Sequence, residues 1–96
     1  MKLEAHIADS LRFFGKPYEE VHRWLDEFAG TPQYGYRHRC KRHHKQGVEE
    51  IRPMFGDEAA LAAMEHIKSD LREEGWRDEK DPMPMDEGDY KRMGLF

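Results

Sequence analysis

Residues 37–45 read Arg37-His38-Arg39-Cys40-Lys41-Arg42-His43-His44-Lys45. This stretch holds three of the six histidines, the only cysteine and five basic side chains, with no acid among them. Around it Tyr36, Cys40, His44, Gly47, Ile51 and Phe55 recur at helical spacing, which predicts one helix from about Tyr36 to Met54 or Phe55. Gly47 falls on the apolar side of that helix, where a missing side chain would admit another helix, and Pro53 should kink or end it in its last turn. A central helix of this kind sets the fold class, because nothing to either side of it alternates as a strand would.

Upstream, Leu3, Ile7, Leu11 and Phe14 form one apolar stripe, giving a first helix over about 3–14 that stops at Gly15. Tyr18, Val21, Leu25 and Phe28 give a second, from about Pro17 to Phe28 or Ala29, with Glu19 and Glu20 in the turn where the helix dipole favours anions. The link between the two is short, so they should lie antiparallel. Residues 30–35 (GTPQYG) are a loop. Downstream, Asp57 reads as an N-cap, and Ala60, Leu61, Met64, Ile67 and Leu71 read as the buried stripe of a helix over about 58–74. The acidic remainder has no clear period. Trp76, Tyr90, Leu95 and Phe96 are its apolar anchors, and Asp86 to Met93 has room for a helical turn or two.

The fold expected is therefore all-α: a small bundle of about four helices, one domain over 1–96, with a helical core over 1–75 and an acidic tail over 76–96 packed across it. The core must be thin, since 38% of the residues are apolar and 38% are charged. One cysteine gives no internal disulfide, and no apolar run approaches the ~18 residues of a membrane span. The start, MKLEAHIADS, carries acids and no apolar core of a signal peptide, so the expected location is cytoplasmic, with no membrane. The net charge of −4 conceals an asymmetry. Residues 1–56 carry ten Lys/Arg against eight Asp/Glu, net +2; residues 57–96 carry six against twelve, net −6. A domain made for bulk nucleic-acid binding would be basic overall.

The histidines carry the chemistry. His22 with Asp26, and His66 with Asp70, are two i, i+4 pairs, each on one helix face, and neutral imidazole with a nearby carboxylate is the commonest metal-ligating unit. With His38 and His43 they make a candidate ligand set of His22, Asp26, His38, His43, His66 and Asp70, suited to zinc, iron or manganese. Against this, no H-E-x-x-H and no C-x-x-C occurs. His66 points about 140° away from the apolar stripe of its own helix, a surface direction unless another element covers it. His38 faces away from the apolar side of the central helix, and His6 sits with Ser10 at the flank of the first. Cys40 reads as a buried structural thiol; its three- and four-residue spacing to His43 and His44 also allows a Cys–His pair.

Arg37, Arg39, Lys41, Arg42 and Lys45 wrap around the central helix as a basic patch that would attract phosphates or a carboxylate-rich partner. Tyr34 and Tyr36 stand beside it, where they could stack on bases. The acidic tail is expected either to fold back over the patch or to serve as a partner-binding strip with Met83, Met85 and Met93.

The order of motifs also resembles a group of small His-rich helical bacterial and phage proteins of unknown function. The residues that carry the resemblance are His22, Asp26, Arg37, His38, Arg39, His43, His44, Gly47, Phe55, Gly56, His66, Asp70, Leu71, Asp89 and Tyr90. It implies that the His and Asp positions act together, and implies no activity. The acidic stretch Arg72 to Asp81 is longer here than in that group.

The function expected from the sequence is a non-enzymatic interaction protein of bacterial or phage type, binding an acidic or phosphate-bearing protein partner through the basic His-rich helix. The alternative is a metal-binding protein with a His/Asp site, extending to a metal-dependent hydrolase. A second alternative is a nucleic-acid-binding accessory protein.

Overall fold

The computed structural model describes residues 2–29, 31–32, 38–78 and 80–95. Among these the regular structure is helical throughout: α1 (Leu3–Phe14), α2 (Glu19–Leu25), α3 (Arg39–Arg42), α4 (Lys45–Phe55), α5 (Asp57–Glu73) and α6 (Glu87–Arg92).

The 17-residue α5 is the axis of the bundle. Its four buried alanines, Ala59, Ala60, Ala62 and Ala63, have almost no side chain to hold neighbours off, so helices approach it from two sides. On one side α4 folds back along it, turned by Gly56, whose φ of 103° is open to glycine and strained for other residues. Val48 and Ile51 of α4 meet Ile67 and Leu71 of α5 there, with Val21, Leu25, Cys40, Trp76 and Tyr90 closing the apolar core. On the other side lie α1 and α2, an antiparallel pair joined across Gly15 (φ 74°).

The sequence expectation for α1 is corrected. Its apolar stripe is not its buried face: Leu11 is 49% exposed, whereas His6 and Ser10, one turn apart, are the buried residues. The reason is what α1 faces, which is a polar cluster on α2 and α5 rather than the apolar core. The same cover buries His66, which its own helix alone would leave on the surface. Leu61, expected in the buried stripe of α5, is 58% exposed, because the core lies on the side of Ala59, Ala60, Ala63 and Ile67.

The central helix is also corrected. It breaks after Arg42, and His43 and His44 form the joint. His44 is extended (φ −157°, ψ 174°) and caps α4, its Nδ1 accepting from the Gly47 amide at 3.1 Å. Gly47 admits not a distant helix but the preceding half of the same segment: a Cβ there would lie 2.0 Å from the Arg42 carbonyl oxygen. α2 ends at Leu25, three residues sooner than its apolar spacing suggests, and the Trp24 carbonyl accepts from Arg42 Nη1 at 2.6 Å.

The tail is docked across the bundle. The Pro84 and Met85 carbonyls accept from the Lys45 and Gln46 amides at 3.0 and 2.9 Å, satisfying the otherwise open first turn of α4. Trp76 Nε1 donates to the Pro82 carbonyl at 3.0 Å, and Tyr90 of α6 is fully buried. Among the described residues no helix is long and apolar enough to cross a membrane.

Candidate metal centre

Four elements converge where α1 and α2 cross α5. α5 contributes His66 and, one turn on, Asp70. α2 contributes His22 and, one turn on at its C-cap, Asp26. The α3–α4 joint contributes His43, and α1 contributes His6. His6, His22, His43, His66 and Asp70 are each at most 2% exposed, while the Asp26 side chain is 25% exposed. The broken helix is what brings His43 in, since its backbone (φ −84°, ψ 60°) leaves the helical path at that residue.

One ligand atom each from Asp26, His43, His66 and Asp70 fit within 4.8 Å of one another. His43 Nε2 lies 3.0 Å from Asp70 Oδ2 and 3.4 Å from Asp26 Oδ1. His66 Nε2 lies 3.3 Å from Asp70 Oδ2 and 3.5 Å from Asp26 Oδ1. Donors held about 2.0–2.1 Å from one cation at tetrahedral angles stand roughly 3.3–3.4 Å apart. Hydrogen-bonded His–Asp pairs occupy the same range, so alignment must decide between the two. His66 Nε2, close to two carboxylate oxygens, is in line for a hydrogen bond to neither.

The surroundings orient these groups. His66 Nδ1 meets His22 Nδ1 at 2.8 Å, and His22 Nε2 meets Ser10 Oγ at 2.7 Å. His38 Nε2 meets Asp26 Oδ1 at 3.2 Å, so His38 acts on the carboxylate from outside the four-donor group. Arg39 lies 3.5 Å from Asp70 Oδ1 and donates to the Asp70 carbonyl at 3.3 Å. His6 stacks on His66 at 3.5 Å between ring centroids, with its Nε2 3.2 Å from Asp70 Oδ1. A cleft of about 280 Å³, lined by Leu3, His22, Arg23, Asp26 and Glu27, opens on the Asp26 side.

A family model described as a domain of unknown function, DUF6915, matches residues 1–76. The chain belongs to the DUF6915 family. All the residues of the cluster lie within the matched range, and residues 77–95 of the tail lie beyond it. No curated protein and no solved structure matches.

In this DUF6915 chain burial alone would push both aspartates up, yet both are held well below the usual carboxylate range. Chiefly His38 and His43 do this to Asp26, and His43 to Asp70. Burial, followed by the neighbouring His66 and His6 rings, lowers His22 to about 4, so it is a neutral imidazole at physiological pH. The cluster thus presents two ionised carboxylates, the form in which a carboxylate binds metal.

The candidate ligands proposed from sequence sort themselves in the DUF6915 fold. Asp26, His43, His66 and Asp70 form the four-donor group, while His22 and His38 stand behind it on His66 and Asp26. His6 belongs to the cluster and was missing from the sequence-based set. Its signal was the i, i+4 pair with Ser10, which reads as flank until α1 is seen to turn that face inward. Cys40 is packed in the apolar core, outside both groups of potential ligands among the described residues.

The basic residues are engaged largely within the chain. Arg39 pairs with Glu74 at 3.0 Å and Glu73 at 3.5 Å, and Lys41 with Glu87 at 3.1 Å. Arg42 pairs with Glu27 at 2.5 Å and lies over the Trp24 ring, 3.9 Å from its centroid. Lys45 is exposed. Arg37, Tyr34 and Tyr36 lie outside the described residues.

Proposed function

We propose that this chain is a metal-binding protein holding a first-row divalent cation through Asp26, His43, His66 and Asp70. The observation that supports it is the buried His66 Nε2, 3.3 and 3.5 Å from two ionised carboxylates and hydrogen-bonded to neither. Leaving such an atom without a partner costs about 1–3 kcal/mol, and a cation among the four donors removes that cost. Two imidazoles and two carboxylates suit zinc, iron or manganese. The interaction reading rests on a basic surface, and three of its residues already meet carboxylates of the same chain, so the metal reading is the better supported.

Such an ion would lower the pKa of a bound water towards 7. On this reading Asp26, the one partly exposed donor, marks the face where water enters from the cleft, and His38 holds its carboxylate in place. A metal-dependent hydrolase is the enzymatic extension of the proposal.

Untagged protein analysed for metals should carry at least one first-row divalent ion per chain. At ~100-fold saturation that ion stabilises by about 2.7 kcal/mol, which for a chain of this size corresponds to a Tm drop of roughly 10–20 °C on chelation. His43→Ala should abolish the chelator response. Metal-free protein that takes up none of zinc, iron(II) or manganese, with an unchanged Tm, would sink the proposal.

A further inference from the structure

His6 is not explained by a single cation. It is 1% exposed, it lies on α1, and neither of its ring nitrogens has a hydrogen-bond partner. Its ring lies nearly parallel to that of His66, 12° apart, with 3.5 Å between centroids. The two stacked rings present their Nε2 atoms to the two oxygens of one carboxylate: His66 to Asp70 Oδ2 at 3.3 Å, His6 to Asp70 Oδ1 at 3.2 Å.

The lone pair of an imidazole nitrogen lies in the plane of its ring. Two cations, each bound by one of these rings, would therefore sit in two planes about 3.5 Å apart. That is the separation of paired cations in two-metal sites, roughly 3.5–4 Å. A carboxylate whose two oxygens face the two planes is the group that bridges such a pair. One ring nitrogen each of His6, His22 and His66 also fit within 4.8 Å, but both nitrogens of His22 are taken up by His66 and Ser10, so His6 is the ring that serves the second plane.

We propose that His6 and Asp70 Oδ1 hold a second divalent cation, so that Asp70 bridges a two-cation centre. The inference rests on the four-donor site described above and adds a new ligand, His6, to it. Arg39 Nη2 lies 3.5 Å from the same Oδ1 and shares its charge with Glu73 and Glu74. A carboxylate oxygen has a second lone pair, so the guanidinium and a cation can both be served. The ligand class is a first-row divalent ion that accepts nitrogen and oxygen donors, with Mn(II) as the convenient probe.

The test is Mn(II) binding to the untagged, chelator-treated chain, followed by equilibrium dialysis and electron paramagnetic resonance. Wild type should take up two ions per chain and give the signal of a spin-coupled pair. His6→Phe keeps a stacked ring and removes both nitrogens; it should take up one ion and show only an uncoupled signal. Saturation at one ion in wild type, with no coupling and no effect of His6→Phe, would overturn the second position and leave the first standing. No binding at all would remove both. Should His6→Phe fail to fold, the wild-type stoichiometry and spin coupling decide alone.

Discussion

His22 is a histidine held neutral chiefly by its burial. In an unfolded chain it titrates near 6.5. Here burial, and then the proximity of His66 and His6, lower it to about 4. Between those values the unfolded state binds the proton and the folded state does not, so falling pH favours unfolding. The contribution of His22 is fully present above pH 6.5 and is lost as pH falls from there through 4. The shift corresponds to about 3 kcal/mol as an order of magnitude. In the metal-free protein, NMR of the ring nitrogens should give a midpoint for His22 near 4. A midpoint near 6.5 would mean that water reaches the ring and that the contact with Ser10 does not persist in solution. Most of these residues were legible from the i, i+4 spacing of His22 with Asp26 and of His66 with Asp70. His6 was not, because its spacing to Ser10 says nothing about what faces it.

The joint between α3 and α4 places His43, and Gly47 permits the joint. A Cβ on residue 47 would stand 2.0 Å from the oxygen, 2.8 Å from the carbon and 3.1 Å from the Cα of Arg42. All three atoms are backbone, so no side-chain rotation relieves the clash, and α3 must move away from α4. Gly47→Ala should therefore destabilise by about 1–3 kcal/mol in urea unfolding, the range for forced overpacking. In an uninterrupted helix the same change would stabilise by about 1 kcal/mol, so the two outcomes differ in sign. A stabilised variant would restore the single helix expected over 36–55. That expectation failed for a local reason. The apolar period runs through the joint, and the residue that caps α4 is His44, acting through Nδ1 where a serine or aspartate would have announced itself. By contrast α1 and α5 were legible to within a residue or so, because Gly15 and the Phe55-Gly56-Asp57 turn mark their ends. The direction each helix faces was less legible. A stripe on one helix gives the preferred apolar side and not the neighbour, so Leu11 and Leu61 were assigned inward and His66 outward.

Across the whole molecule the acidic C-terminal half closes on the more basic N-terminal half, as one of the two roles expected of the tail had it. Of the ion pairs that join the two halves, Arg52 with Asp57 is exposed on both sides and contributes little. One line of contacts runs inward. The buried Tyr90 donates to Glu74 Oε2 at 3.0 Å, Arg39 Nη1 donates to the same oxygen at 3.0 Å, and Arg39 reaches the Asp70 carbonyl and carboxylate. The tail thereby fixes the orientation of a proposed metal ligand from beyond the range matched by the family model. Tyr90→Phe keeps the ring in the core and removes only the hydroxyl, so its effect can be assigned. Losing the hydrogen bond to a charged oxygen should cost about 1.5–3 kcal/mol in the metal-free protein. Freed from Tyr90, Glu74 no longer holds Arg39 against Asp70 as firmly. Cation affinity should fall too, by up to about tenfold, the low end for loss of an outer partner of a ligand. Calorimetric titration with Zn(II), beside a melting curve of the chelated variant, separates the two effects. Lower stability with unchanged affinity would make α6 a cover for the core alone; lower affinity as well would place the tail among the groups that set the geometry of the centre.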